Sequence, residues 1–138
     1  MVSFKQCEEL FVENGLEYSE KLHEKLCIYY EFLIEYNKKV NLTAITECEE
    51  VWVKHFLDSI LLSKYAKIPE KASLIDVGTG AGFPSVPLKL YREDISITLL
   101  DSLNKRIKFL DELCERLGIK VITCLLYTSP SPRDGATS

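Results

Sequence analysis

The segment of the chain best suited to hold a ligand is Asp76-Val77-Gly78-Thr79-Gly80-Ala81-Gly82. Glycines at alternate positions let a backbone turn sharply and approach a bound molecule where side chains would collide. The turn lies between a short apolar run, Leu74 to Val77, and a helix-compatible stretch, Pro84 to Leu90. One carboxylate, Asp76, leads the glycines, and another, Asp101, follows Gly80 by 21 residues. A ribose-gripping carboxylate follows a glycine-rich turn at an offset of about 20 residues. A nucleoside-type cofactor is therefore expected, against the plainer reading of a tight turn with no ligand.

Spacing narrows the cofactor. The dinucleotide fingerprint G-x-G-x-x-G sets its third glycine one residue later than here, to seat a pyrophosphate at a helix N-terminus. This chain has the contracted G-x-G-x-G followed by Phe83-Pro84. Asp76 would repel a pyrophosphate but could accept from the cationic end of S-adenosylmethionine. That cofactor is expected over NAD.

Other polar residues carry two readings each. His55 and Asp58, three apart on a helix, either line a cleft or make a structural hydrogen bond. Asn41 and Thr43 either line the same cleft or form a turn between helices. Lys105 and Arg106 are a basic pair that could meet phosphate, though a solvated helix face is the favoured reading. Trp52, Tyr29 and Tyr30 at helical spacing are expected in the core rather than as base-stacking platforms. No catalytic acid or base is identified, and no metal site is expected.

The elements that must position these residues change period near residue 70. Over residues 1–70 the apolar residues step by three and four, as in amphipathic helices. Ser3 with Gln6 and Thr46 with Glu49 fit capping boxes, and Ser19 opens a longer helix. Residues 71–124 alternate strand and helix: strands at 74–77, 95–100 and 119–124, the first buried on both faces, with helices from Pro84 and from Ser102 to Gly118. That order implies parallel strands joined by crossovers, hence an α/β, Rossmann-like sheet preceded by a helical segment.

Composition agrees with a globular chain. Among 138 residues, 46% are hydrophobic and 28% charged, near the globular average. No apolar run approaches the roughly 18 residues of a membrane helix, and no secretory signal is visible, so a cytoplasmic protein is expected. The five cysteines are widely spaced, with no C-x-x-C pair, and read as small buried hydrophobes. Net charge is −4. Residues 1–70 hold eight Lys against thirteen Asp or Glu, whereas residues 71–124 hold eight basic against seven acidic residues. Such a chain lacks a broad basic footprint, so any nucleic acid must be gripped locally.

Four separated motifs then occur in order: Asn41-Leu42-Thr43-Ala44-Ile45, Lys54-His55-Phe56-Leu57-Asp58-Ser59, Asp76 through Pro84, and Leu99-Leu100-Asp101-Ser102 through Lys105-Arg106. Residues 1–124 resemble the bacterial small-subunit ribosomal RNA guanine-N7 methyltransferase family, also called glucose-inhibited division protein B. The resemblance implies a class I methyltransferase fold and S-adenosylmethionine as cofactor. It also implies methyl transfer to N7 of one guanine in 16S ribosomal RNA, free or in the small subunit. Gly78 and Phe83 would then contact the cofactor within the turn that includes Thr79, Gly80 and Gly82, and Asp101 would hold its ribose. A monomer is expected at full length. Two alternatives remain: a small-molecule methyltransferase or NAD enzyme on the same core, and a non-enzymatic helical interaction domain.

Residues 125–138 break the pattern. Leu-Leu-Tyr-Thr-Ser-Pro-Ser-Pro-Arg-Asp-Gly-Ala-Thr-Ser has no apolar periodicity and is read as a disordered, foreign tail on a truncated reading frame. The chain as written is accordingly expected to be inactive.

Overall fold

A computed structural model describes residues 2–126. In chain order it contains α1 (Phe4–Glu13), α2 (Glu20–Asn37) and α3 (Cys48–Val51), which runs into a π-helical stretch (Trp52–Leu57). Then come α4 (Asp58–Ile60), α5 (Leu62–Tyr65), β1 (Ser73–Val77), α6 (Ser85–Tyr91), β2 (Ser96–Asp101), α7 (Asn104–Leu117) and β3 (Ile122–Leu125). The disordered-tail reading falls mainly on residues outside the described range, but Leu125 is the last residue of β3 rather than part of a tail.

Local chemistry sets several of these boundaries. Ser3 and Gln6 form the expected capping box of α1, and the Ser19 hydroxyl accepts from the Leu22 amide at the start of α2. Gly118, at φ 69°, closes α7 in the left-handed conformation that suits glycine. Two other expected caps are not made. Helix α3 starts after Glu47 without a side-chain cap, while Thr46 lies upstream with its carbonyl accepting from the Tyr30 hydroxyl. Helix α7 begins after Leu103, and Ser102 is not its cap; Asp101 instead accepts from the Leu103 amide.

The three strands form one parallel sheet in the order β1-β2-β3. Asp76 pairs with Leu99 and Val77 with Leu100, while Asp101 pairs with Leu125. Helices α6 and α7 pack on one face, and a single hydrophobic core joins them to α1, α2 and the π-helical stretch. Trp52, Tyr29, Phe56, Phe109 and Leu99 are fully buried there.

Among the described residues nothing covers the other face, which corrects the expectation that β1 is buried on both sides. Ile75 is 69% exposed, Val77 63% and Ile122 64%. These alternate positions point away from α6 and α7, as the two-residue period of a strand requires. An apolar run alone cannot distinguish a strand with two covered faces from one with a single covered face.

Candidate functional site

The glycine turn crosses the ends of β1 and β2. Gly78 and Thr79 amides both donate to the Leu100 carbonyl, at 2.8 and 3.2 Å, which ties the turn to β2. The Gly80 amide donates to Asp101 Oδ2 at 3.0 Å. Gly78 and Gly80 have φ 73° and 60°, the left-handed region that disfavours a side chain. A Cβ placed on either would meet no atom within 4 Å, so both backbones border open space. Room for a ligand exists at these two residues.

Gly82 differs from its neighbours. A Cβ there would lie 2.7 Å from Tyr29 Oη, 3.0 Å from Val86 Cγ2 and 3.3 Å from Leu110 Cδ2. It faces the core beneath the turn, so its place is in packing, although sequence spacing groups it with the ligand-facing glycines.

Asp76 accepts from the Ser85 hydroxyl at 2.7 Å, joining the end of β1 to the first residue of α6. Asp101 is 1% exposed, and both its oxygens are engaged: Oδ2 by Gly80 and Oδ1 by the Leu103 amide at 3.0 Å. Arg106 Nη1 stands 3.7 Å from the same Oδ1. The favoured reading of Arg106 as a solvated residue is thereby corrected, whereas Lys105 is exposed. Among the described residues, Thr79 Oγ1 and Arg106 Nε are buried without a hydrogen-bond partner, and both belong to this cluster.

Phe83 follows the turn. His55 stacks on its ring at 4.2 Å and 7°, and the Tyr29 ring lies nearly parallel to it at 5.5 Å and 10°. The Thr43 hydroxyl oxygen lies 3.0 Å from His55 Nε2 and 3.3 Å from the Ile45 carbonyl, so it ties the connection before α3 to the π-helical stretch. Burial pushes the His55 pKa below its ordinary value, against a smaller upward pull from Asp58. Asp58 is exposed, while His55 is bonded to Thr43, in keeping with the structural reading of His55.

Asn41 is exposed in the connection between α2 and α3. The side chain that builds this connection is that of Asn37, whose Oδ1 accepts from the Leu42 and Thr43 amides. Spacing also did not identify Ser85 or the hydroxyl of Tyr29, because each acts on a residue distant in sequence.

A cavity of about 750 Å³ lies elsewhere, between α2 and the C-terminal ends of α6 and α7. Two of its lysines already serve the fold. Lys25 donates to the Leu117 carbonyl, and Lys89 to the carbonyls of Glu93 and Ile95. Cations at helix C-termini have this stabilising role, so the open glycine turn remains the candidate site. Among the described residues no group of His, Cys, Asp and Glu is arranged to hold a metal ion, and no helix is long and apolar enough to cross a membrane.

Comparison with known proteins gives a consistent result. A family model described as rRNA small subunit methyltransferase G matches residues 22–129, five residues past the 124 at which the resemblance was expected to end. Ribosomal RNA small subunit methyltransferase G of Clostridium botulinum (strain Eklund 17B / Type B) is 53% identical over 111 residues, covering 80% of this chain and 46% of that protein. The protein of the same name from Clostridium perfringens (strain 13 / Type A) is 51% identical over 106 residues, covering 77% and 44%. The chain spans about half the length of the curated relatives it matches. Among solved structures, coclaurine N-methyltransferase bound to N-methylheliamine and SAH superposes with a TM-score of 0.51 over 91% of this chain and 47% of that one. At 13% identity this likeness speaks to fold alone, and the fold is that of class I methyltransferases.

Proposed function

The chain belongs to the rRNA small subunit methyltransferase G family, and we propose that it is the cofactor-binding part of an S-adenosylmethionine-dependent methyltransferase acting on guanine N7 in 16S ribosomal RNA. One observation carries the reading: Gly78 and Gly80 border open space at the ends of β1 and β2, beside a buried Thr79 hydroxyl that lacks a partner. That cradle suits a compact nucleoside. Gly78, Thr79, Gly80 and Phe83 would line it. Asp76 offers a carboxylate to an ammonium group, while Asp101 and Gly82 shape the turn. A ribose contact by Asp101 would come in addition to the bonds it already accepts, since a carboxylate has about four acceptor sites.

Bound there, S-adenosylmethionine would supply an electrophilic methyl group. Guanine N7 has an in-plane lone pair and no proton, so this chain needs no general base. Its residues would act by holding the base in line. Asn41, His55 and Lys105 are the proposed substrate-side residues, with Asn41 and Lys105 open to solvent. Arg106 would contribute through Asp101 rather than through phosphate. N7 is out of reach in the deep groove of an RNA helix, so the base would come from a loop or opened stem. We place the full-length protein in the cytoplasm as a monomer acting on the small ribosomal subunit or its RNA.

Calorimetry of the chain with S-adenosylhomocysteine and, separately, with NAD tests the cofactor. Saturable binding of the first alone is expected. Binding of NAD, or of neither, would end the reading. For the substrate, a protein extended to family length should transfer labelled methyl to 16S RNA but not to RNA already methylated at its target guanine.

A further inference from the structure

We infer that Tyr29 is a positioning residue for the glycine turn: from α2, through its hydroxyl and its ring, it holds Ala81 to Phe83 in the conformation the site requires. The inference rests on the proposed cofactor reading and adds a residue that neither motif nor spacing identifies. Tyr29 is completely buried, and its hydroxyl donates to the Ala81 carbonyl at 2.7 Å, across 52 residues of sequence. The hydroxyl also occupies the space that a Cβ on Gly82 would fill, 2.7 Å away. Its ring stacks on Phe83 at 5.5 Å and packs against Phe56 at 5.1 Å.

Three successive residues of the turn are thus in register with one side chain. A purely apolar role would leave the buried Ala81 carbonyl without this donor, and a buried acceptor without a partner is costly. Phenylalanine would fill nearly the same volume, so the hydroxyl is present for the carbonyl. Burial raises the Tyr29 pKa well above its ordinary value, which keeps the hydroxyl protonated and able to donate. The ring continues the chain of contacts outward. Phe83 stacks in turn on His55, and His55 is bonded to Thr43, so the helical segment and the turn meet along one line of side chains.

The test is Tyr29→Phe in the whole chain, read by amide exchange over residues 78–83 and by calorimetry with S-adenosylhomocysteine. Phe11→Leu, in α1, serves as a control with a core defect remote from the turn. Tyr29→Phe should accelerate exchange across the turn while leaving α1 protected, and should weaken the ligand about tenfold, equivalent to about 1.4 kcal/mol. Phe11→Leu should lower the melting temperature without changing either readout. Unchanged exchange over 78–83 in Tyr29→Phe overturns the inference whatever the ligand does. Faster exchange with unchanged affinity also overturns it, by showing that the site does not depend on this hold. Faster exchange in a chain whose parent binds no S-adenosylhomocysteine supports the hold on the turn and counts against the cofactor reading alone.

Discussion

Gly80 and Asp101 are 21 residues apart in sequence and are joined by a 3.0 Å hydrogen bond from the Gly80 amide to Asp101 Oδ2. The end of β2 therefore sets the position of the turn that follows β1. Because Oδ1 also accepts from Leu103 and lies near Arg106, one carboxylate fixes both the turn and the entry to α7. Its relation to a bound ribose becomes an experimental question with two distinct answers.

Asp101→Ala should weaken S-adenosylhomocysteine binding by about 1.5–3 kcal/mol, the range for hydrogen bonds to a charged group. If the carboxylate acts through the turn, a 2′,3′-dideoxy analogue should be weakened to the same extent. Calorimetry with both ligands makes the comparison. A clearly larger loss for the natural ligand would assign Asp101 a direct ribose contact.

The glycines should separate into two kinds. Gly80→Val meets no neighbouring atom but carries the backbone cost of a branched residue at φ 60°, so the chain should stay folded with somewhat lower stability and lose the ligand. Gly82→Ala puts a Cβ 2.7 Å from the Tyr29 hydroxyl at φ 93°, so it should lower stability by 1 kcal/mol or more, a cost of about 1–2 kcal/mol attaching to the left-handed backbone alone. Urea unfolding beside ligand titration reads both effects. A Gly82→Ala chain as stable as its parent would show that the core can yield there.

Stability should fall on mild acidification. Burial lowers the pKa values of His23 and His55 below the ordinary 6.5, so the unfolded chain binds protons that the folded chain resists. Their contribution is complete above pH 6.5 and is lost as pH falls from there through the folded values. The urea midpoint should therefore drop between neutral pH and the His range, well before carboxylates titrate. In His55→Gln the slope should be shallower. A midpoint that is flat or rises over this interval would contradict the lowering of the two histidine pKa values by burial.

Much of this site was legible in sequence where the determining contact is local. Ser3, Ser19 and Gly118 act within a turn of their own helices, so residue type and spacing suffice. The offset from Gly80 to Asp101 was also visible, but it does not tell whether the carboxylate faces a ligand or a backbone amide. Tyr29 shows where such reading stops. An aromatic residue at helical spacing looks alike whether it meets another apolar group or donates to a carbonyl 52 residues away. The Thr46–Glu49 pair shows the opposite hazard, since a good capping pattern lost its helix start to a position one residue later.

The last prediction is that the 138-residue chain does not methylate 16S RNA. The described residues form a sheet of three strands and leave Ile75, Val77 and Ile122 bare on one face. Apolar surface in water costs about 25 cal/mol per Å² relative to burial, and an open strand edge is a template for pairing with other chains. The chain also spans about half the length of the curated relatives it matches. The purified chain should bind a hydrophobic dye and associate as concentration rises. Ile75→Thr with Val77→Thr should reduce both effects without altering the turn, because these side chains point away from the core that supports Gly80. Dye fluorescence and light scattering read the exposed face, and transfer of labelled methyl from S-adenosylmethionine reads activity. A chain extended to family length should be monodisperse and transfer the label. Turnover by the 138-residue chain itself would show that β1, β2 and β3 with their helices suffice for catalysis, and the account of the bare face would then have to be abandoned.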